Sequence, residues 1–428
     1  MTETATVREW EHLPIGEDGV PEPAARLLLQ LSARATRRLR IPQPVLARTA
    51  RPSLQAGQVV GVLSTREATV EILPKIDRPD GAIRKALVHM LSVVYSLPIA
   101  DGELTSLADQ DATLLEFLVG VFADRLLTAV RRGLPHRYRS RQDDLPLLRG
   151  KLDIRRQVAR HVVRSDLLAC EFDELSVDTP LNRVLKAAVM RLRSIARHSA
   201  NARKFAELSA RFEFVGESRD PLREPVTLDR TNITFHRLHS WSRLFLSARW
   251  QSTTTGTSAG VALLFPMNDL FEAFVGRAMQ SVLPAGSTRL QHTGLHALTE
   301  RDQSLFALRP DIVVNGNIVI DTKWKELDPG ERTLGVGQSD VYQMLAYAHA
   351  YEAGRVVLLY PWRPGLPPPG ICRRWAITGT SVPFDIATVD IGAPDTVSTA
   401  LREIIRGQSP GAQSELPGRW VLSAPEAA

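Results

Sequence analysis

The stretch "LRPDIVVNGNIVIDTKWKEL", residues 308–327, holds two apolar runs on either side of Asn315-Gly316-Asn317. β-Branched residues flanking a glycine-containing turn predict a hairpin. Each strand also carries charge where burial would favour an apolar side chain: Asp311 in the first, Asp321 and Lys323 in the second. Side chains alternate faces along a strand, so Asp321 and Lys323 share one face. Asp311 joins them only in one register. A three-residue loop, Asn315 to Asn317, sets Asp311 opposite Asp321. A two-residue Asn-Gly loop slips the pairing by one and sends the carboxylates to opposite faces. If the three charges act together, the loop must have three residues, or a bulge must compensate.

Two carboxylates at one point repel, and one is partly protonated unless a cation lies between them. An all-oxygen pair suits Mg²⁺ or Mn²⁺ rather than zinc. The backbone carbonyl of Thr322 is a further oxygen in the same region. Lys323 is the natural third group, orienting an attacking water or stabilising charge that builds on a phosphate. The bland reading is a surface hairpin with a solvated Asp–Lys pair, worth ~0–1 kcal/mol.

On either side of the hairpin the period changes to that of helices. Upstream, "NDLFEAFVGRAMQSVL" (268–283) carries Glu272. Downstream, "SDVYQMLAYAHAYEAG" (339–354) carries Gln343 and Tyr347 at i and i+4, on one helix face, and "RVVLLYP" (355–361) reads as a buried strand. Nearer the N-terminus, "RLLLQLSARATRRL" (26–39) has helical spacing, and "QVVGVLSTREATVEILPKI" (58–76) reads as two strands around a short turn. "IRKALVHMLSVVYSL", "LLEFLVGVFADRLLTAVRRGL" and "PLNRVLKAAVMRLRSIA" are amphipathic helices. The second ends on Arg131, Arg132 and Gly133; the third opens with Asp178 or Thr179 as N-cap and Pro180 in the first turn.

The fold class expected is therefore α/β and multi-domain. Residues 1–24 are a flexible lead, 25–82 a small N-terminal β-containing domain, 83–257 a mainly helical middle domain, 258–405 an α/β domain around the hairpin, and 406–428 a tail. "QSTTTGTSAG" (251–260) is expected to be a linker or surface loop.

Net charge is +6, which is compatible with a nucleic-acid partner without requiring one. Cys170 and Cys372 are the two cysteines, too few for a disulfide framework or a cysteine zinc site, so a reducing cytoplasm is expected. The N-terminus lacks an apolar signal core, and no run of about 18 apolar residues predicts a membrane span. The histidines show no HExxH spacing. No G-x-x-x-x-G-K-[ST] loop is present. Asp173 and Glu174 are expected to form a structural network with Arg183.

Pro310-Asp311, nine residues, and then Asp321-Thr322-Lys323 resemble the PD-(D/E)xK nuclease motif. Gln343 and Tyr347 match the Gln-x-x-x-Tyr element of some of its branches, and Glu272 stands where a further metal-site carboxylate is often found. "DTKWK", "DVYQMLAY" and "LLYP", with "LLRGKLDIRRQ" (147–157), "CEFDELSVDTPLNRVLK" (170–186) and "GVL…VEILPKI", narrow the resemblance to the McrC family over roughly 58–405. That family supplies the nuclease subunit of the McrBC system, which restricts modified-cytosine DNA.

The resemblance implies a C-terminal PD-(D/E)xK domain that cleaves double-stranded DNA with Mg²⁺. Asp311, Asp321, Glu272 and the Thr322 carbonyl would hold the metal, with Lys323, Gln343 and Tyr347 completing the catalytic set. It implies a McrB-like AAA+ GTPase hexamer as partner, which uses the GTP and is stimulated by this chain. The N-terminal and helical regions would dock to that ring. Lys325 reads as a phosphate contact or a solvent lysine. "RRGLPHRYRSRQ" (131–142), with Arg131, Arg132, Arg137, Arg139 and Arg141, reads as a phosphate track, a ring contact or a solvated basic loop. Two rivals stand beside this reading: an autonomous RecB-like repair exonuclease with the same core, and a non-cleaving activator of a GTPase ring.

Overall fold

The computed structural model describes residues 3–17, 19–97, 99, 113–164, 166–247, 250–253, 260–301 and 303–407. Within them the chain is mixed α/β, with five sheets and ten α-helices. It divides into two compact units. The first comprises Met1–Lys75 and Tyr95–Pro266; the second comprises Ile76–Val94 and Met267–Ala428.

The first unit opens with β1 (Glu3–Arg8), β2 (His12–Pro14), α1 (Glu22–Leu39), β3 (Leu46–Arg48), β4 (Ser53–Ala56), β5 (Val59–Thr65) and β6 (Ala68–Leu73). Every residue of β5 and β6 is buried, as near-continuous apolar runs demand. Leu28, Leu31 and Ala35 of α1 share a core with Val59, Leu63, Val70 and Ile72. The expected flexible lead therefore contains structure. β1 pairs in parallel with β6 from Glu3↔Ala68 to Arg8↔Leu73, so its backbone groups are satisfied by a sheet edge the sequence did not reveal.

α2 (Asp80–Tyr95) belongs almost wholly to the second unit. The first resumes with α3 (Leu114–Arg131), β7 (Arg137–Leu145), β8 (Lys151–Leu152), α4 (Ile154–Arg160), β9 (Leu168–Ser176), α5 (Pro180–Arg193), α6 (Ser199–Arg211), α7 (His236–Leu246), β10 (Trp250–Thr253) and β11 (Gly260–Pro266). The caps fall as expected. Thr179 accepts from Asn182 N with Pro180 in the first turn, and α3 stops at Arg132 and Gly133, whose φ is +110°.

The middle region is not all helix, because β7, β9 and β8 form a ribbon. "RYRSRQDDL" lacks the apolar alternation of a half-buried strand because most of it is exposed. The expected boundary near 258 also moves. β11 lies buried against β5 along its whole length, Gly260↔Thr65 to Pro266↔Val59, so the first unit ends at Pro266. Gly61 makes this pairing possible: its φ is +130°, and a Cβ there would meet Leu263 O at 2.0 Å. The expected 251–260 linker begins as strand β10, and residues 254–259 lie outside the described residues. So do residues 408–428 of the expected tail.

The second unit contains α8 (Met267–Val282), β12 (Thr288–Leu290), β13 (Leu295–Glu300), β14 (Gln303–Leu308), β15 (Ile312–Val314), β16 (Ile318–Thr322), α9 (Gln338–Ala350), β17 (Arg355–Pro361), β18 (Gly370–Ala376), β19 (Pro383–Val389) and α10 (Pro394–Arg406). Its main sheet has the order β12-β15-β16-β17-β19-β18. β16, β17 and β19 run parallel, and α9 is the crossover that parallel β16 and β17 require. Val319, Met344, Tyr347, Val356, Leu358 and Ile386 form one core beneath α9. Val319 and Asp321 are two apart on β16, so Asp321 faces α9 from the same side of the sheet.

Candidate active site

The hairpin adopts the register that unites the charges. Val314 pairs with Ile318, Val313 with Val319 and Ile312 with Ile320, leaving Asn315, Gly316 and Asn317 as a three-residue loop. Asn315 and Gly316 take φ of +50° and +69°, which asparagine tolerates and glycine adopts freely. Asp311, one residue before β15, thereby stands across from Asp321.

Thr322 ties the two strands together at this point. Its backbone N–H and its hydroxyl both donate to Asp311 Oδ2, each at 2.7 Å. Asp321 is 2% exposed. Its Oδ2 lies 2.7 Å from Lys323 Nζ, an ion pair rather than an aligned hydrogen bond, since that oxygen has no hydrogen-bond partner of good geometry. Its Oδ1 accepts a long 3.4 Å contact from Gln343 Nε2. Lys323 Nζ also donates to Gln343 Oε1 at 2.9 Å, and Gln343 Nε2 donates to the Tyr347 hydroxyl at 2.9 Å. Gln343 is thus a clasp between the lysine, the aspartate and the tyrosine, and α9 brings both of its expected residues to the hairpin.

Electrostatically the site holds a surplus of negative charge. Burial, and then the charge of Asp311, push the Asp321 carboxyl up to about 6. Burial also raises Asp311, against the opposing pull of the Thr322 hydrogen bonds. Glu272 on α8 is raised by burial and then by Asp311, so it lies within electrostatic reach of the pair. Burial works against the Lys323 charge, but Asp321, Asp340 and Asp311 outweigh it and hold the ammonium above its ordinary value. Burial raises the Tyr347 phenol.

Such a site fits a hard dication in charge and in donor chemistry, with two facing carboxylates and oxygen donors around them. It is not a ready-made cage: among the described residues no three His, Cys, Asp or Glu side chains converge as a metal cluster. Glu272 does not join the pair directly. Its Oε1 accepts from Gln291 Nε2 at 2.6 Å, and Gln291 in turn accepts from Arg309.

Lys325 stands beside Lys323, although β16 ends at Thr322. Its Nζ lies 2.8 Å from Asp340 Oδ2. Asp340 escaped the sequence reading, as did Gln291 and the Thr322 hydroxyl. A signal existed for Asp340: with Gln343 and Tyr347 it forms an i, i+3, i+7 set on one helix face.

The arginine run is not a free cation track. Arg137 pairs with Asp229 at 2.6 Å, Arg139 with Asp178 at 3.2 Å, Arg141 with Glu174 at 2.8 Å and Arg131 with Glu207 at 3.3 Å. Arg132 is exposed. Arg183 pairs with Asp178 at 2.6 Å rather than with Asp173 or Glu174, and that contact leads the causes that pull the Asp178 carboxyl down to about 2.

Residues 54–361 match the family described as McrBC 5-methylcytosine restriction system component. Among solved structures, one chain of the refined half-complex from the tetradecameric assembly of Thermococcus gammatolerans McrB AAA+ hexamers with bound McrC is similar. It shares 21% identity at a TM-score of 0.71, over 94% of this chain and 99% of that one. A chain of the cryo-EM structure of the Thermococcus gammatolerans McrBC complex matches at 23% identity and a TM-score of 0.55, over 66% of this chain and 88% of that one. No curated protein matches. Among the described residues, no helix is long and apolar enough to cross a membrane.

Proposed function

The chain belongs to the McrBC family of 5-methylcytosine restriction system components, and on that premise we propose that it is the family's nuclease subunit. It would cleave double-stranded DNA, with modified cytosine as the mark, through a PD-(D/E)xK site in its second unit. The observation that carries this reading is the register of the β15–β16 hairpin, which sets Asp311 across from Asp321 beside Lys323. A three-residue loop has no structural need for two facing carboxylates, and their mutual repulsion costs stability unless it serves a purpose.

Asp311 and Asp321 would hold Mg²⁺, or Mn²⁺, with the Thr322 carbonyl as a third oxygen and Glu272 as a further carboxylate once released from Gln291. When bound, the ion supplies a Lewis acid for the phosphate and lowers the pKa of water. The chain's own residues do the rest. Thr322 fixes the Asp311 carboxylate through two hydrogen bonds. Gln343, steadied by Tyr347, aims the Lys323 ammonium toward the carboxylates. Lys323 then donates to the attacking water or to the charge growing on the phosphate as the phosphorus–oxygen bond to the leaving strand breaks.

The partner in this proposal is a McrB-like AAA+ GTPase hexamer, which would use GTP and be stimulated by this chain. One similar structure is a half-complex of McrB AAA+ hexamers with bound McrC and the other is of a McrBC complex, which supports that choice. Docking is assigned to the first unit, where Tyr138, Leu147, Phe214 and Val163 are exposed apolar side chains.

The test mixes the purified chain, a McrB-like AAA+ GTPase, Mg²⁺, GTP and methylated plasmid. Cleavage that needs partner, GTP and methylation supports the proposal. Cutting of linear ends by the chain alone, without GTP, would favour the RecB-like exonuclease. Raised GTP turnover with intact plasmid would favour the non-cleaving activator.

A further inference from the structure

We propose that Asp340 is a positioning residue that divides the two lysines of the "DTKWK" segment between two tasks: Lys323 for the cleavage step and Lys325 for gripping the DNA phosphate backbone. This rests on the nuclease reading above and adds to it a residue that the reading does not use.

Beyond the end of β16, Lys323 and Lys325 both reach Asp340, while Trp324 between them packs against Phe271. Trp324 is buried, with its ring centroid 5.4 Å from that of Phe271 on α8. That anchor fixes the segment beyond the end of β16 and keeps both lysines turned toward α9. There they meet one carboxylate. Asp340 is 6% exposed and sits in the first turn of α9, where the helix dipole favours an acid. Its Oδ2 holds Lys325 Nζ at 2.8 Å, and its Oδ1 stands 3.7 Å from Lys323 Nζ. The seat is close-fitting, because a Cβ on Gly337 would lie 3.2 Å from Asp340 Oδ2.

The two lysines differ in what surrounds them. The Lys323 side chain is 19% exposed and has Asp321, Gln343 and Asp340 around its ammonium. The Lys325 side chain is 55% exposed, with Asp340 as its carboxylate partner. An ammonium that is half in solvent and tethered beside the cleavage site is placed to contact a phosphate. Asp340 keeps it there and stops it from competing with Lys323 for Asp321. The same carboxylate opposes the approach of DNA, because it is itself an anion.

The two effects predict a split that a purely structural acid does not produce. In the full complex, Asp340→Asn lowers the single-turnover cleavage rate about tenfold to a hundredfold, because the ammonium loses its placement. The same variant binds a short duplex, with Ca²⁺ in place of Mg²⁺, as tightly as wild type or tighter. Lys325→Met differs in the binding arm: it weakens duplex binding about fivefold to tenfold, which Asp340→Asn does not. Asp340→Glu keeps the charge and recovers part of the lost rate.

Cleavage by Asp340→Asn within about twofold of wild type overturns the inference. So does a fall in rate that merely tracks a loss of folded protein. Absence of cleavage by the wild-type complex would sink the nuclease reading instead. The binding arm still decides the inference in that case, because equal affinities for all the variants contradict it.

Discussion

Two charged segments, one in each unit, look alike as text and differ in physics. "RYRSRQDDL" in β7 carries three arginines in alternation; "DTKWK" after β15 carries an aspartate and two lysines. In β7 the arginines lie at the surface, and each of the three has a carboxylate partner. Such pairs are screened, and each is worth ~0–1 kcal/mol. In the hairpin the charges are largely buried and do not balance. Asp311 and Asp321 face each other, Glu272 adds its field, and Lys323 offsets only part of it. The number of charges does not mark a site. Burial with an uncompensated sign does.

Four experiments put this contrast at risk, in descending order of expected effect. Asp311→Asn keeps an oxygen to accept from Thr322 but removes one facing charge. Cleavage in the assembled complex is expected to fall by about 10²–10³-fold, with the fold retained by circular dichroism. A smaller loss than Arg139→Gln gives would reverse the contrast.

The second concerns pH. The Asp321 carboxyl is raised in the folded chain from 3.8 to about 6. The folded state therefore prefers the protonated form. The stabilisation this gives is complete below 3.8 and is lost as pH rises through about 6. In chelator, Asp321→Asn should escape that loss and exceed wild type by on the order of 1–3 kcal/mol at neutral pH. Thermal melts across this range, with and without Mg²⁺, provide the check, and Mg²⁺ should narrow the gap by stabilising wild type alone. A gap that is constant with pH would mean the carboxylates are not in conflict.

Third, Lys325→Met should weaken duplex binding by about fivefold to tenfold, the share of one phosphate contact. Fourth and smallest, Arg139→Gln should leave duplex affinity unchanged and cost about 0.5 kcal/mol or less in stability. If Arg139→Gln weakened binding more than Lys325→Met, the paired arginines would have to open toward DNA, and the contrast would fail.

Much of the hairpin was legible in advance because strand alternation has a period of two. Once the loop length is chosen, the face of every side chain follows. Gln343 and Tyr347 were legible for the corresponding helical reason. Asp340 was not singled out, although it lies on the same helix face, because a single acid in a first helical turn usually needs no explanation beyond the dipole.

Structure missed in the first unit has two causes. β1 draws its order from β6, a partner distant in sequence, which local propensity does not encode. β7 is a strand without an apolar face, so no period-two hydrophobic signal exists for it. The boundary at Pro266 was missed for a related reason: a buried apolar strand carries no label for the sheet it joins.

Whether the facing carboxylates are catalytic or structural is decided by one pair of reactions. Wild type and Asp321→Asn, each assembled with the AAA+ partner, are given Mg²⁺, GTP and methylated plasmid, and plasmid cleavage and GTP turnover are read from the same tube. The expected result is loss of cleavage in Asp321→Asn with GTP turnover as high as in wild type. Cleavage that survives in Asp321→Asn would contradict the account and leave the buried pair as a feature of the fold alone.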